Sequence, residues 1–137
     1  ISLIFAKHAK RGVGVEIVPQ AVSNAVKNAE KNKIENAEFI CGNAPDVLRK
    51  LSEEERFKPD VIVVDPPRKG CEPEVLEAIA ISGAKKLIYV SCDPGTLARD
   101  LHFLCENGFR IDAVQPVDQF PQTVHVETCV LMSRTKK

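Results

Sequence analysis

The chain has 137 residues, enough for one domain and too few for two ordinary ones, which excludes a large multidomain enzyme. Hydrophobic residues make up 44% of the chain, a share that excludes an intrinsically disordered protein. The 19 Lys and Arg residues balance 19 Asp and Glu residues, so the chain has no overall positive field to hold nucleic acid.

Neither a membrane anchor nor a disulfide framework is indicated. No apolar run approaches the roughly 20 residues of a membrane span, and the N-terminus lacks the pattern of a signal peptide. The sequence therefore predicts a soluble, cytoplasmic protein. The five cysteines, at positions 41, 71, 92, 105 and 129, are widely spaced and form no CxxC pair. We expect free thiols and no metal site.

The hydrophobic pattern predicts strands that alternate with helices along most of the chain. An apolar helix is expected over residues 1–10. The strands that follow are predicted at 13–18, 37–41, 60–65 and 86–92. The helices after them are predicted at 19–33, 44–51, 73–82 and 94–107. Such alternation is typical of an α/β fold with a doubly wound parallel sheet. Strand-like runs at 109–117 and 125–132 have no helix between them, which predicts an antiparallel pair at one edge.

Glu16 stands near the end of the first predicted strand. In doubly wound nucleotide-binding folds, an acid at the end of the second strand binds ribose, about 20 residues after a glycine-rich loop. Counting back from Glu16 passes Ile1. If Glu16 is that acid, the first strand and its loop precede Ile1, and the sequence is one N-terminally truncated domain of a longer protein.

Reactive side chains end several predicted strands, at the sheet edge where open α/β sheets bind ligands. They are Glu16, Asn43, Asp65 and Cys92. Asp65 precedes two prolines and, further on, Gly70, which together predict a stiff loop that ends in a turn. The structural alternative is that Asp65 caps the next helix.

Cys92 is the candidate nucleophile. Asp93 and Pro94 follow it as a predicted N-cap and first helical residue, so the thiol is expected at a helix N-terminus. The helix field favours the thiolate, and the Asp93 carboxylate opposes it. The alternative is a buried structural thiol, which is what we expect for Cys41, Cys105 and Cys129.

Glu127 is unusual because it lies inside the last predicted strand. Alternation places His125, Glu127, Cys129 and Leu131 on one face of that strand. One interpretation is a solvated edge face. The other is a general base positioned near Cys92.

Three segments resemble a known family. They are DPPRKG at 65–70, YVSCDPGTLARDL at 89–101 and FPQTVHVETCVL at 120–131. Their order and spacing resemble the S-adenosylmethionine-dependent RNA uracil-5-methyltransferases, which modify tRNA or ribosomal RNA. Residues 14–29 and 39–44 also look like that family's second and third cofactor motifs. The resemblance covers essentially the whole chain and implies a class I methyltransferase (Rossmann-like) fold, with the missing first strand between the strands at 13–18 and 60–65.

The resemblance implies a role for each candidate residue. Cys92 matches the nucleophile, Glu127 the general base and Asp65 a residue between cofactor and target base. Glu16 matches the ribose-binding acid and Asn43 a contact near the adenine. The implied cofactor is S-adenosyl-L-methionine and the implied partner is rRNA or tRNA. The family's glycine-rich first motif and upstream glutamine are not in this sequence, so we expect the isolated segment to bind the cofactor weakly and to be inactive.

Two other functions remain open from the sequence. One is an amino-group methyltransferase, whose [D/N]PP[Y/F] loop stacks an aromatic ring on the target amine. Arg68 stands at the aromatic position here, and N-methylation needs no thiol at Cys92. The other is a cofactor- or RNA-binding domain without turnover.

Overall fold

The computed structural model of the protein describes residues 1–53 and 58–135. These residues form five helices and six strands. In chain order they are α1 Ser2–Ala6, β1 Gly12–Glu16, α2 Pro19–Lys31, β2 Ala37–Cys41, α3 Ala44–Glu53, β3 Val61–Val64, α4 Pro73–Ile81, β4 Lys86–Ser91, α5 Pro94–Glu106, β5 Phe109–Val117 and β6 Glu127–Arg134. None of the helices in the described ranges is both long enough and apolar enough to cross a membrane.

Residues 1–50 form the first of two compact units. Its sheet contains β1 and β2, which pair in parallel from Gly12 opposite Ala37 to Glu16 opposite Cys41. Both strands are only partly buried along most of their length. The carboxyl ends of the two strands therefore lie at the same edge, next to the starts of α2 and α3.

Residues 51–137 form the second unit, whose described part contains a four-stranded sheet in the order β3–β4–β6–β5. The strands β3 and β4 are parallel, and β6 is antiparallel to both of its neighbours, β4 and β5. The core of this unit contains side chains with no exposed surface from β4, α5 and β6, among them Leu87, Tyr89, Leu104, Val130 and Met132.

The strands confirm most of the predicted architecture. The alternating order and the antiparallel final pair are present, and the four strands predicted to run parallel in one sheet form two parallel pairs, β1 with β2 and β3 with β4, in separate sheets. No backbone ladder joins the two sheets in the described part of the chain. The absent strand that the resemblance implies between the strands at 13–18 and 60–65 stays a prediction.

Several predicted boundaries were wrong by two residues or more, among them the end of β1, which is at Glu16 instead of residue 18. The first helix ends at Ala6 instead of residue 10, because the Asn36 side-chain amide donates hydrogen bonds of 2.7 Å to the carbonyls of Ala6 and Ala9. The last strand begins at Glu127 instead of residue 125, because β5 ends at Val117, directly opposite Glu127, and offers no further partner.

All five cysteines are free thiols, as predicted, but their expected burial was partly wrong. Cys41 and Cys105 are exposed, Cys129 is partly buried, and Cys71 is buried. Cys41 ends a strand of the two-stranded sheet, where little packs over it. On α5 the buried stripe runs through Leu97, Leu101 and Leu104, which leaves position 105 in solvent.

Candidate active site

Cys92 lies at the centre of a tight turn between β4 and α5. The Ser91 hydroxyl accepts a hydrogen bond of 3.1 Å from the Asp93 backbone N–H and donates one of 3.0 Å to the Asp93 carbonyl. A serine that bonds the backbone two residues onward is a standard way to close such a turn. Cys92 is partly buried, so it is not the fully buried structural thiol of the alternative interpretation.

Asp93 is the N-cap of α5, as predicted. Its Oδ1 accepts a hydrogen bond of 2.9 Å from the Thr96 backbone N–H, and Pro94 occupies the first turn. That bond from Thr96 lowers the pKa of the Asp93 carboxyl below its usual value. The nucleophile candidate therefore has an ionised carboxylate as its next neighbour in the chain.

The register of β4 and β6 relates Cys92 to Glu127. The last pair in this antiparallel ladder is Ser91 opposite Thr128. Cys92 is the residue that follows this last pair on the β4 side, and Glu127, the first residue of β6, is the one that precedes it on the β6 side. The two candidates therefore stand next to the same end of the ladder. Glu127 is partly buried, and β6 lies between β4 and β5, so the solvated-edge interpretation was wrong.

Asp65 immediately follows β3, which is parallel to β4, so it lies at the same edge of the sheet as Cys92. Its side chain is exposed. The loop after Asp65 makes a turn at Gly70, which has a φ of 79°. The Gly70 N–H donates a hydrogen bond of 2.9 Å to the Pro67 carbonyl. Helix α4 is preceded by Glu72 at its N-cap, so the interpretation of Asp65 as a helix cap was wrong.

A buried carboxylate beside this loop was not singled out from the sequence. Asp100 on α5 has no exposed surface, and its Oδ2 accepts hydrogen bonds from the Cys71 N–H at 2.8 Å and the Tyr89 hydroxyl at 2.5 Å. Burial raises the pKa of Tyr89 and raises that of the Cys71 thiol to about 11. The segment TLARD at 96–100 contains the sequence pattern that could have identified it. Asp100 stands beside the buried leucines of the helix, so its side chain lies toward the core.

Glu16 and Asn43 both lie in the first unit. Glu16 ends β1, and its Oε1 accepts a hydrogen bond of 2.9 Å from the Val18 N–H, which orients the exposed carboxylate. Asn43 begins the turn into α3 two residues after β2, and its Nδ2 donates to Asp46 at 3.3 Å. Because Glu16 pairs with Cys41, both candidates lie at the carboxyl edge of this sheet.

The chemistry of these two side chains fits the predicted cofactor. A carboxylate with Oε2 free of the described hydrogen bonds accepts from the two hydroxyls of a ribose, and the amide of Asn43 can pair with polar adenine edges. Within the described ranges, no group of three or more His, Cys, Asp or Glu side chains has the arrangement of a metal site.

Similar proteins were found by sequence and by structure. Residues 1–135 match the family model described as tRNA (uracil-5-)-methyltransferase. A Clostridium acetobutylicum protein named uncharacterized RNA methyltransferase is 53% identical over 100% of this chain and 30% of its own length. A Bacillus cereus protein of the same name is 51% identical over the same shares. This chain thus spans about 30% of the length of these relatives.

Solved structures agree with the sequence matches. The Pyrococcus abyssi tRNA (uracil-54, C5)-methyltransferase, solved with S-adenosyl-L-homocysteine, has a TM-score of 0.79 and 31% identity over 95% of this chain and 30% of that one. An rRNA methylase of Streptococcus thermophilus has a TM-score of 0.69 over 98% of this chain and 79% of that one, at 14% identity, and shares the fold alone. The predicted class I methyltransferase fold is confirmed.

The family match spans nearly the whole chain and includes the turn that holds Cys92, the strand that begins with Glu127 and the loop that follows Asp65. The chain therefore belongs to the tRNA (uracil-5-)-methyltransferase family.

Proposed function

We propose that this chain carries the reacting residues of an RNA (uracil-C5)-methyltransferase that uses S-adenosyl-L-methionine and acts on a uridine of tRNA or rRNA. The observation that supports the proposal is the end of the β4–β6 ladder at Ser91 opposite Thr128, because Cys92 and Glu127 are the next residues at that same end. A nucleophile and a base at one sheet edge are what a two-step addition and elimination requires.

The chemistry of uracil explains why a thiol is needed. C5 of the ring is too weak a nucleophile to take a methyl group directly. Addition of the Cys92 thiolate to C6 moves an electron pair toward C5 and O4 and makes C5 nucleophilic. The cofactor supplies an electrophilic methyl group on its sulfonium. After C5 has taken that methyl group, the ring is saturated at C5 and C6 and still attached to Cys92.

Release of the product needs a base. Glu127 accepts the proton from C5, the electron pair restores the C5–C6 double bond, and the Cys92 sulfur leaves as thiolate. The partial burial of Glu127 shields this transfer from bulk water. The target base must leave its stack to reach such a site.

The remaining candidates are proposed to bind the cofactor. Glu16 accepts hydrogen bonds from the ribose hydroxyls, and Asn43 contacts the adenine. Asp65 lies at the same sheet edge as Cys92, and we propose that it contacts both the cofactor and the target base.

Replacement of the nucleophile is the first test. In the complete gene product that contains this sequence, Cys92→Ala should abolish methylation and also the covalent adduct with RNA that carries 5-fluorouridine, because no thiol remains to attack C6. Gel retardation under denaturing conditions measures the adduct. Cys105→Ala, which removes an exposed thiol on α5, is the matched control and should retain both activities. Methylation by the Cys92→Ala protein would contradict the proposal.

Replacement of the base should stop the reaction one step later. Glu127→Gln should still allow addition and methyl transfer but slow proton abstraction by about 10²–10⁴-fold. A methylated covalent protein–RNA complex should then accumulate with ordinary uridine. Glu77→Gln, at an exposed position of α4, is the control and should release product normally. A Glu127→Gln enzyme that loses activity without this complex would show that Glu127 is not the base, and binding without any adduct in the wild type would favour a non-catalytic domain.

A further inference from the structure

Three side chains of α5 point toward the loop that follows Asp65. Arg99 and Asp100 follow Thr96 by three and four residues, the spacings that place side chains next to Thr96 on the helix surface. Each of them, through its side chain, makes a hydrogen bond to the backbone of residues 68–71. We call these three residues the α5 latch.

The three latch residues each bind a different backbone group of the loop. The Thr96 hydroxyl donates to the Arg68 carbonyl at 2.9 Å, and Arg99 Nη2 donates to the Lys69 carbonyl at 2.9 Å. Asp100 Oδ2 accepts from the Cys71 N–H at 2.8 Å. Side-chain bonds to backbone at three nearby residues fix a loop's path independently of its own side chains.

The carboxylate at the centre of the latch is itself held on both oxygens. Its Oδ1 accepts from Arg99 Nε at 2.8 Å, and its Oδ2 also accepts from the Tyr89 hydroxyl of β4. Gly70 packs so closely that a Cβ there would lie 2.6 Å from both Asp100 Oδ2 and Arg99 Nη2. A buried carboxylate that accepts this many hydrogen bonds has partners for both oxygens and is held in one position.

Thr96 also belongs to the turn that holds Cys92. Its backbone N–H donates a hydrogen bond of 2.9 Å to Oδ1 of the N-cap residue Asp93, and its hydroxyl lies 3.3 Å from the Asp93 carbonyl. One residue therefore bonds to the Cys92 turn on one side and to the loop of Asp65 on the other. Pro66 and Pro67 lie between Asp65 and Arg68, the first loop residue that the latch holds. Because proline fixes its φ angle, these two residues restrict how far Asp65 can move relative to the held part of the loop.

We infer that the α5 latch is a positioning device, which holds the loop of residues 65–71 and the Cys92 turn in a fixed relation and so sets where Asp65 stands relative to the nucleophile. The inference rests on the proposed function, because Asp65 and Cys92 are the groups whose relation it controls. Thr96, Arg99 and Asp100 act through the loop and do not touch substrate.

A pair of variants at Thr96 isolates the latch. Thr96→Val keeps the shape and the backbone cap but removes the hydroxyl, and Thr96→Ser keeps the hydroxyl. In the complete gene product, Thr96→Val should lower kcat by about tenfold with KM for cofactor and RNA unchanged, since displaced catalytic groups cost rate even when binding persists. Thr96→Ser should restore kcat to near the wild-type value. Equal kcat for both variants and the wild type would overturn the inference.

Asp100→Asn gives a readout that does not depend on activity. The substitution removes the negative charge and one acceptor oxygen, so the hydrogen bond from the Cys71 N–H is weakened in one orientation of the amide and lost in the other. We expect the Cys71 amide to exchange its proton with solvent faster than in the wild type, measured by hydrogen exchange, and kcat to fall by about 10²-fold. Glu106→Gln, an exposed acid further along α5, is the control and should change neither.

The two proposals fail in different ways. A wild-type protein that forms no adduct with 5-fluorouridine RNA contradicts the proposed function, and the exchange rates then decide by themselves whether the latch holds the loop. A wild type that forms the adduct, together with an Asp100→Asn protein whose loop exchanges faster at unchanged kcat, contradicts the positioning role alone. Unchanged exchange at Cys71 in Asp100→Asn contradicts the latch itself.

Discussion

At the scale of single residues, the network around Asp100 shows how burial changes the chemistry of neighbouring groups. Tyr89 and Cys71 both lie against this carboxylate in the core, and burial raises the pKa of each. The Cys71 side chain is therefore a neutral thiol at neutral pH, and not the thiolate that acts as a nucleophile. Cys92 has a different position, in the partly buried turn at the sheet edge.

The raised pKa of Cys71 predicts a loss of stability at alkaline pH. Burial raises the pKa of the folded thiol to about 11, against an ordinary pKa of 9.0 in the unfolded chain. Between these values the unfolded state gives up a proton that the folded state keeps, so the free energy of unfolding should fall as the pH rises from 9 to 11. Tyr89, whose pKa is also raised, should add to the fall in the same direction.

Urea denaturation at a series of pH values measures this effect. Cys71→Ala should flatten the decrease over that range, because the group that titrates differently in the two states is gone. Cys105→Ala, which removes an exposed thiol, should leave the decrease in place. A Cys71→Ala protein with the wild-type pH dependence would show that another group is responsible.

At the scale of elements, α4 lies between two glycines with positive φ angles. Gly70 precedes it with a φ of 79° and Gly83 follows it with a φ of 75°. Both need a conformation that L-residues avoid. They differ in surroundings, since a Cβ at Gly83 would meet nothing within 4 Å, and a Cβ at Gly70 would strike the α5 latch.

This difference predicts unequal effects of the same substitution. Gly83→Ala should cost about 1–2 kcal/mol of unfolding free energy from backbone strain alone. Gly70→Ala should cost clearly more, because it adds the displacement of the buried Asp100 carboxylate. Thermal or chemical denaturation of the two variants provides the comparison. Equal losses would mean that the loop yields to the new Cβ without disturbing the latch.

At the scale of the whole molecule, the two units differ in how much core each of them has. Of the described buried hydrophobic residues, only Ala6 and Ala29 belong to residues 1–50. The first unit relies on a sheet of two strands, an arrangement that is marginally stable by itself. The second unit has a four-stranded sheet around fully buried side chains such as Leu87 and Val130.

We therefore predict unequal protection of the two sheets in native-state hydrogen exchange. Amides of β1 and β2 should exchange through local opening at a lower free energy than those of β4 and β6, because fewer buried apolar contacts are lost when they open. Mass spectrometry of exchanged peptides from the two sheets measures the difference. Equal protection in both sheets would contradict the prediction.

The local order of the chain could be read from its sequence, because periodicity and turn residues act between near neighbours. The strand at 37–41, the cap at Asp93 and the stiff turn at Gly70 are of this kind, and so is the motif set that identified the family. The sequence also singled out Cys92 and Glu127 as candidates. Their roles remain predictions.

Only the tertiary structure decided which of these residues meet. Cys92 and Glu127 are 35 positions apart in the chain, and it is the β4–β6 ladder, which ends at Ser91 opposite Thr128, that brings them to the same end of two neighbouring strands. The early end of α1 depends on Asn36, and the exposure of Cys41 and Cys105 depends on what packs nearby. The α5 latch was missed for the same reason. A polar side chain on a helix looks like solvated surface until the fold brings a loop's backbone against it, because its hydrogen-bond partners are distant in sequence and only packing selects them.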